Sequence, residues 1–346
     1  MPGPMPRPGA TMSDVAKRAG VSITTVSHVV NRTRPVAPAT TSLVLEAATE
    51  VGYVPSDVLR SLHTTGLKTV GLAISAISNT YFGSVVHSIE QVLSDAGYSL
   101  LLSDTHDESA AEVQAVTGLL RNHVSAIILA PVGDPDRILR YANNHQVPVV
   151  LIDRPVAADC DQVAAESVEP TAQLVDHLAD LGHRRIALIS GRHGLTTTVE
   201  RVQGFRLGLR RRKLVAYRDL HVDGDSTAEG SAGALRQLMA LDHPPTAVVV
   251  ANNNMTIGVL RAAKQMRLRI PTDLAVVSFD DFEWADLFHP GLTAIAQPTH
   301  AIGTQAAQLV LSRLQEPTLP SRRVLLKSTL VHRESCGCVP EPIDGS

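Results

Sequence analysis

The stretch Asp14-Val15-Ala16-Lys17-Arg18-Ala19-Gly20-Val21-Ser22-Ile23-Thr24-Thr25-Val26-Ser27-His28-Val29-Val30-Asn31 decides how this chain is read. With Thr11-Met12-Ser13 ahead of it, it spells a short helix, a tight turn and a second helix start. Ser13 is a good N-cap, and Asp14 suits the positive end of a helix. Val15 and Ala19 are four apart and share a face. Gly20 can take the left-handed conformation that lets a chain leave a helix sharply. Ser22 caps the second helix, Ile23 to Asn31, whose buried stripe is Val26, Val29 and Val30. Thr24, Ser27, His28 and Asn31 fall on the other side. Two short helices meeting at such a turn form the helix-turn-helix unit, whose second helix enters the major groove of DNA. A third helix follows over 39–51, with Leu43, Leu45, Ala47, Ala48 and Val51 as its apolar surface, and Gly52 and Pro55 end it. The same periodicity also suits a three-helix packing module that touches no nucleic acid.

Charge favours the first alternative. Residues 1–68 carry seven basic and four acidic side chains, a net of +3, which leaves −6 for the rest of a chain whose total is −3. A cationic head on an anionic body is the layout of a protein that meets phosphates at one end. Six of the first ten residues are Pro or Gly, and 1–10 reads as a disordered leader. The 346 residues are 44% hydrophobic and 19% charged, an ordinary soluble composition. No apolar run is long enough to span a bilayer, and no secretion pattern opens the chain. Three cysteines imply no disulfide framework and fit a reducing cytoplasm.

Beyond a hinge at 56–68, capped by Ser56 and broken at Gly66, apolar runs alternate with helical stretches. Strands are expected at 70–74, 99–103, 126–130, 147–153, 185–190, 220–223, 247–251 and 274–280. Helices are expected near 82–96, 109–121, 135–144, 168–181, 199–213, 227–240, 255–266 and 300–314. Short apolar strands separated by helices mean parallel sheets covered on both faces. Eight units exceed one comfortable sheet, and the pattern repeats after about residue 165. The expectation is an α/β body of two doubly wound subdomains with a cleft between them, over 69–335, and a tail over 336–346. Ligands bind at the carboxyl ends of such strands.

Enzyme motifs are missing: no dinucleotide or phosphate-loop glycine string and no nucleophile elbow. Cys336 and Cys338 have no second pair to complete a zinc site, so neither metal nor cofactor is expected. The run Arg210-Arg211-Arg212-Lys213 reads as the exposed end of a helix, where cations are favourable. Polar residues do collect at strand ends: Asp153-Arg154, Asn252-Asn253 and Asp280-Asp281, with Arg201 at a helix start. Hydroxyl-rich ligands need this mixture of carboxylate, amide and guanidinium. Strand-end capping and ion pairing explain the same residues without a ligand.

The Asp14–Asn31 string resembles the DNA-binding signature of the lactose/galactose repressor family, and the resemblance continues through almost the whole chain. It implies a helix-turn-helix head at 11–55 and a periplasmic-binding-protein-like body that is no enzyme. It also implies a transcriptional regulator, commonly a repressor, that binds double-stranded operator DNA as a homodimer or tetramer. On the head it points to Ser22, Ile23, Thr24, Thr25, Ser27, His28 and Asn31 as DNA contacts. His28 stands where many members carry Arg, and a histidine makes fewer bonds to guanine. In the hinge it implies that Leu62, and Leu59 where members usually have Ala, wedge into the minor groove. In the body it implies a small-molecule effector, most often a sugar, held by Tyr81, Phe82, Asp153, Arg201, Asn252 and Asp280. Trp284 is a candidate for stacking on a sugar face, and equally for packing between the lobes. Members usually have Asp where this chain has Asn253.

Overall fold

The computed structural model describes residues 11–31, 34, 36–51, 68–75 and 79–338. The leader and most of the hinge, including Leu59 and Leu62, lie outside the described residues. The chain divides into two compact units, 1–68 and 69–346.

Among the described residues the first unit holds three helices, α1 (Met12–Ala19), α2 (Ile23–Asn31) and α3 (Pro38–Val51). Val15, Ala16, Val26, Val44, Ala47 and Ala48 form its core. The cap of α1 is Thr11 rather than Ser13. Thr11 Oγ1 accepts from the Asp14 amide, and Asp14 returns a carboxylate to the Thr11 amide at 2.8 Å, a capping box. Gly20 takes φ +66°, as expected of the residue that ends α1. On α3 the inward residues are Val44, Ala47 and Ala48, whereas Leu43 and Leu45 are more than half exposed. The 3.6-residue period places Leu43 and Leu45 on either side of the stripe rather than in it.

The second unit is two lobes. The first contains β1 (Lys68–Ile74), α4 (Thr80–Asp95), β2 (Tyr98–Asp104), α5 (Ser109–Arg121), β3 (Ala126–Leu129), α6 (Pro135–Asn144), β4 (Val149–Ile152) and β5 (Asp161–Ala165). The second contains α7 (Val168–Asp180), β6 (Ile186–Ser190), α8 (Thr196–Arg211), β7 (His221–Asp223), α9 (Ala228–Met239), β8 (Ala247–Val250), α10 (Asn253–Gln265), β9 (Ala275–Phe279) and β10 (Thr293–Ala296). The chain then returns to the first lobe through α11 (Thr299–Gln315) and β11 (Arg323–Leu326), and ends in the second with β12 (Thr329–Val331).

The sheets have matching orders, β11-β5-β4-β3-β1-β2 and β12-β10-β9-β8-β6-β7. All eight expected strands form, but four others were not foreseen. β5, β10, β11 and β12 are short, and β11 alternates in burial as an edge strand does. Their presence changes the topology. The lobes are not consecutive halves divided near 165, because the chain passes between them at 165–168, 296–299 and 326–329. The body also runs past residue 335, since Cys336 is buried in the second-lobe core and Cys338 packs against it.

Helix pairs on the lobes approach closely. Arg211 and Arg212 of the basic run bind Glu169, Asp176 and Asp180 of α7, so those cations clamp α8 to α7. A Cβ on Gly258 of α10 would overlap the Ala228 carbonyl oxygen and Ser231 Oγ on α9. Ser231 is itself fixed by its bond to the Met255 carbonyl at 2.9 Å. Gly258→Ala is therefore expected to destabilise the body by about 1–3 kcal/mol, the usual cost of overpacking. A lowered urea midpoint is the readout, and an unchanged midpoint would show that the two helices can part freely.

Candidate functional site

The carboxyl ends of both sheets face one cavity. Its walls come from the loops that follow the strands. Asp153 follows β4 and Asp280 follows β9, equivalent positions in the two sheets. Both adopt left-handed backbone, φ +67° and +71°, a conformation uncommon outside glycine and concentrated at functional positions. Each turn is held from the neighbouring strand, by Asp153 N to Val163 O and by Asp281 N to Ile295 O.

On the first lobe, Asn79 caps α4 through a 3.0 Å bond from the Tyr81 amide, which sets Tyr81 and Phe82 in the wall. Tyr81 donates its hydroxyl to Asp153 at 2.8 Å. Burial, and then the Asp153 charge, hold the Tyr81 hydroxyl well above its ordinary pKa, so it stays a donor. Arg154 is buried, 2.7 Å from Asp107, and donates to Pro131 O and Ser75 Oγ.

On the second lobe, Arg201 lies near the start of α8. It donates to the Ala251 carbonyl, stands 3.7 Å from Asp280 and lies 3.8 Å above the Phe279 ring. Burial raises the Asp280 carboxyl pKa, opposed by Arg201 and by the bond from Gln297. Asn252 caps α10 with its carbonyl on the Met255 amide at 2.7 Å and lines the cavity. Arg154 Nε and Arg201 Nε are buried without a hydrogen-bond partner among the described residues. Arg154 Nε is 3.5 Å from Asp153, too far for a good bond.

Six of the expected effector residues, Tyr81, Phe82, Asp153, Arg201, Asn252 and Asp280, thus line one cavity. Trp284 does not. It packs on Phe282 and Phe288, ring centroids 4.5 and 5.6 Å away, within the second lobe. Sequence reading also passed over Asp107, Thr198, Ser226 and Gln297. All four lie beyond strand ends or at a helix start, and that position was their only signal.

Asn253 bridges the lobes. Its amide donates to Asn79 Oδ1 at 2.7 Å and Thr80 Oγ1 at 3.0 Å. Asn79 cannot turn over freely, because the same oxygen caps Tyr81. Asn253→Ala removes both bonds and is expected to cost the closed arrangement about 1–3 kcal/mol. Small-angle scattering should report a more open body, and an unaltered profile would count against a latch.

In the head, Ile23 and Thr24 are exposed at the start of α2, with Ile23 53% accessible. Ser22 Oγ lies 2.8 Å from Thr25 Oγ1 and accepts from the Thr25 amide, so Ser22 also caps the helix. Ser27 and His28 are half-buried on the same helix. The Asn31 side chain lies outside the described residues.

Residues 11–56 match the model for bacterial regulatory proteins, lacI family, and residues 175–336 match a periplasmic binding protein-like domain. Over 331 residues the chain is 35% identical to the ribose operon repressor of Escherichia coli strain K12, spanning 94% of this chain and 99% of that protein. The chain belongs to the lacI family. A second relative of this lacI-family regulator is the HTH-type transcriptional repressor PurR of Vibrio cholerae serotype O1 (strain M66-2). The two are 31% identical over 328 residues, 94% of this chain and 98% of that one. Among solved structures, the lac repressor dimer bound to operator and the anti-inducer ONPF is 30% identical. It has a TM-score of 0.71 and covers 94% of this chain and 99% of its own. The transcriptional regulator CelR–cellobiose complex is 29% identical, with TM-score 0.71, and covers 94% of this chain and all of its own. These relatives are transcriptional regulators, and this member is a DNA-binding transcriptional regulator with a ligand-binding body. No helix among the described residues is long and apolar enough to cross a membrane.

Proposed function

We propose that this lacI-family member is a cytoplasmic repressor whose operator affinity is set by a neutral sugar held between its lobes. The cavity supplies the observation that carries this reading. Its charged walls are Asp107, Asp153, Asp280, Arg154 and Arg201, nearly balanced, which offers little to a strongly charged ligand. Carboxylates that accept, guanidinium nitrogens that donate and the Tyr81–Phe82 pair, edge to face at 5.0 Å, suit vicinal hydroxyls on an apolar ring face. The names of the relatives point the same way: a ribose operon repressor and a cellobiose complex.

A single short recognition helix gives limited affinity, so the regulator works as a homodimer on a roughly palindromic operator. Sugar binding between the lobes acts on the same closure that the Asn253 bonds hold. Movement of the lobes alters the spacing of the two hinges and whether the segments holding Leu59 and Leu62 engage the minor groove. Coupling of about 1–3 kcal/mol changes operator affinity some 5- to 150-fold. The sugar acts as an inducer.

The test has two stages. Selection from random duplexes identifies the operator, and then pentoses, hexoses and disaccharides are screened for a change in operator affinity. At least one sugar should weaken binding within the 5- to 150-fold range. A protein that selects a duplex but ignores every sugar would leave the DNA function standing and remove the sugar.

A further inference from the structure

Two cysteines near the C-terminus find in the fold the partners that their spacing alone lacks. His177 lies in the last turn of α7, His332 directly after β12, and Cys338 just past the short 3-10 turn Glu334–Cys336. One ligand atom from each of His177, His332 and Cys338 lies within 4.8 Å of the others. Cys336 Sγ is 2.8 Å from Cys338 Sγ. The two imidazoles meet edge to face, centroids 4.6 Å apart at 77°.

A separate observation points to a ligand. His177 Nε2 is buried and makes no well-formed hydrogen bond among the described residues, while the Cys336 thiol reaches the His177 side chain. Buried polar atoms are nearly always paired, and an exception needs a cause. A bound cation supplies one, since an imidazole nitrogen with a free lone pair is a metal ligand. The alternative is plain packing, with two rings stacked beside two small thiols. Packing, with the Cys336 thiol against the His177 ring, accounts for the ring geometry but not for four metal-ligating side chains from distant elements meeting at one point.

We propose that His177, His332, Cys336 and Cys338 form a site for one zinc-class divalent cation. Two thiolates and two imidazoles make the donor set of structural zinc, and soft sulfur ligands select against magnesium and calcium. Bond lengths of about 2.0–2.3 Å place tetrahedral ligands roughly 3.4–3.8 Å apart. His332 is exposed and Cys338 only partly buried, so these two close the remaining distance by side-chain rotation and local shifts of the last turn. The sulfurs, 2.8 Å apart, separate by about 1 Å as they do so. Binding releases the two thiol protons. The cation ties α7 to the strand and turn that end the second lobe, so its effect is structural and independent of the effector cavity.

The experiment uses the full chain, reduced, stripped with a chelator and titrated with Co²⁺ and then Zn²⁺. One Co²⁺ per chain should bind with a thiolate-to-cobalt charge-transfer band, and Zn²⁺ should bleach that band. His332→Ala, at an exposed position, should weaken binding at least about 100-fold, since even supporting residues cost 10- to 100-fold. Cys338→Ser should lose part of the band, and Cys160→Ser in the other lobe should lose nothing. Absence of the band, equal affinity in His332→Ala, or a Cys336–Cys338 disulfide that persists in the reduced folded protein would each overturn the site.

Discussion

Arg201→Met is expected to leave a regulator that binds operator and no longer hears its effector. Arg201 is only 6% exposed. Its guanidinium reaches the Ala251 carbonyl, Asp280 and the Phe279 ring at once, and its remaining buried nitrogen is unpaired. Removing one member of a buried, hydrogen-bonded charge pair costs about 2–5 kcal/mol of binding. At 1.36 kcal/mol per tenfold, effector affinity should fall roughly 30- to 5,000-fold. Calorimetry with the sugar found by screening measures the loss, and fluorescence anisotropy on the operator confirms that DNA binding persists. Arg201→Met also leaves the Asp280 carboxylate buried without its cation, which burial already disfavours, so the body itself should weaken. The double variant Arg201→Met/Asp280→Leu separates the two effects. Removing both charges should restore much of the folding stability but none of the sugar response. Recovery of the response in the double variant would show that Arg201 acts only by holding the fold, and an unchanged response in the single variant would remove it from the binding site.

That prediction was within reach of the sequence because its residues sit where chain-local rules apply. Asp153, Asn252 and Asp280 each follow a continuous apolar run, and the carboxyl ends of parallel strands are where such folds bind ligands. Gly20 and the valines of α2 were equally plain, since helix period and turn chemistry are local. What was hidden depends on contacts distant in sequence. β5 and β10 are short strands recognisable only beside β4 and β9, which they extend. Missing them concealed the three passages between the lobes. Trp284 lies four residues beyond Asp280, but the aromatic pair Phe282 and Phe288 captures it, and proximity in sequence carried no information about that. Leu43 and Leu45 looked like core because they are leucines. The helix turns both outward and buries the smaller Val44. The four groups of the proposed metal site come from α7 and from the chain end, and no spacing rule links them.

His28→Ala should change which sequence the protein prefers without abolishing its hold on DNA. α2 begins with an exposed Ile23 and Thr24, while Val26 is fully buried against α1 and α3. That burial fixes the rotation of the helix and leaves Thr24 and His28 off the buried face, where the proposed base contacts lie. Phosphate contacts position a protein and carry no sequence information, whereas contacts to base edges discriminate. A good side-chain contact to a base is worth about 1–3 kcal/mol of discrimination. On a dimer the two half-sites contribute roughly additively, so the preferred operator should lose about 2–6 kcal/mol while duplexes altered at that base pair lose little. The preference should flatten at one position in each half-site, and the salt dependence of binding should stay the same, because no phosphate contact is lost. Binding measured across single-base variants of the operator at two salt concentrations decides the matter. A uniform loss on every sequence, with a shallower salt slope, would place His28 on the backbone and leave Thr24 and Ile23 as the residues that read bases. An unfolded head, seen as loss of helical signal in the isolated variant protein, would be a different result again. It would mean that His28 supports the α2 fold, and the same test would then pass to Thr24→Ala at its exposed position.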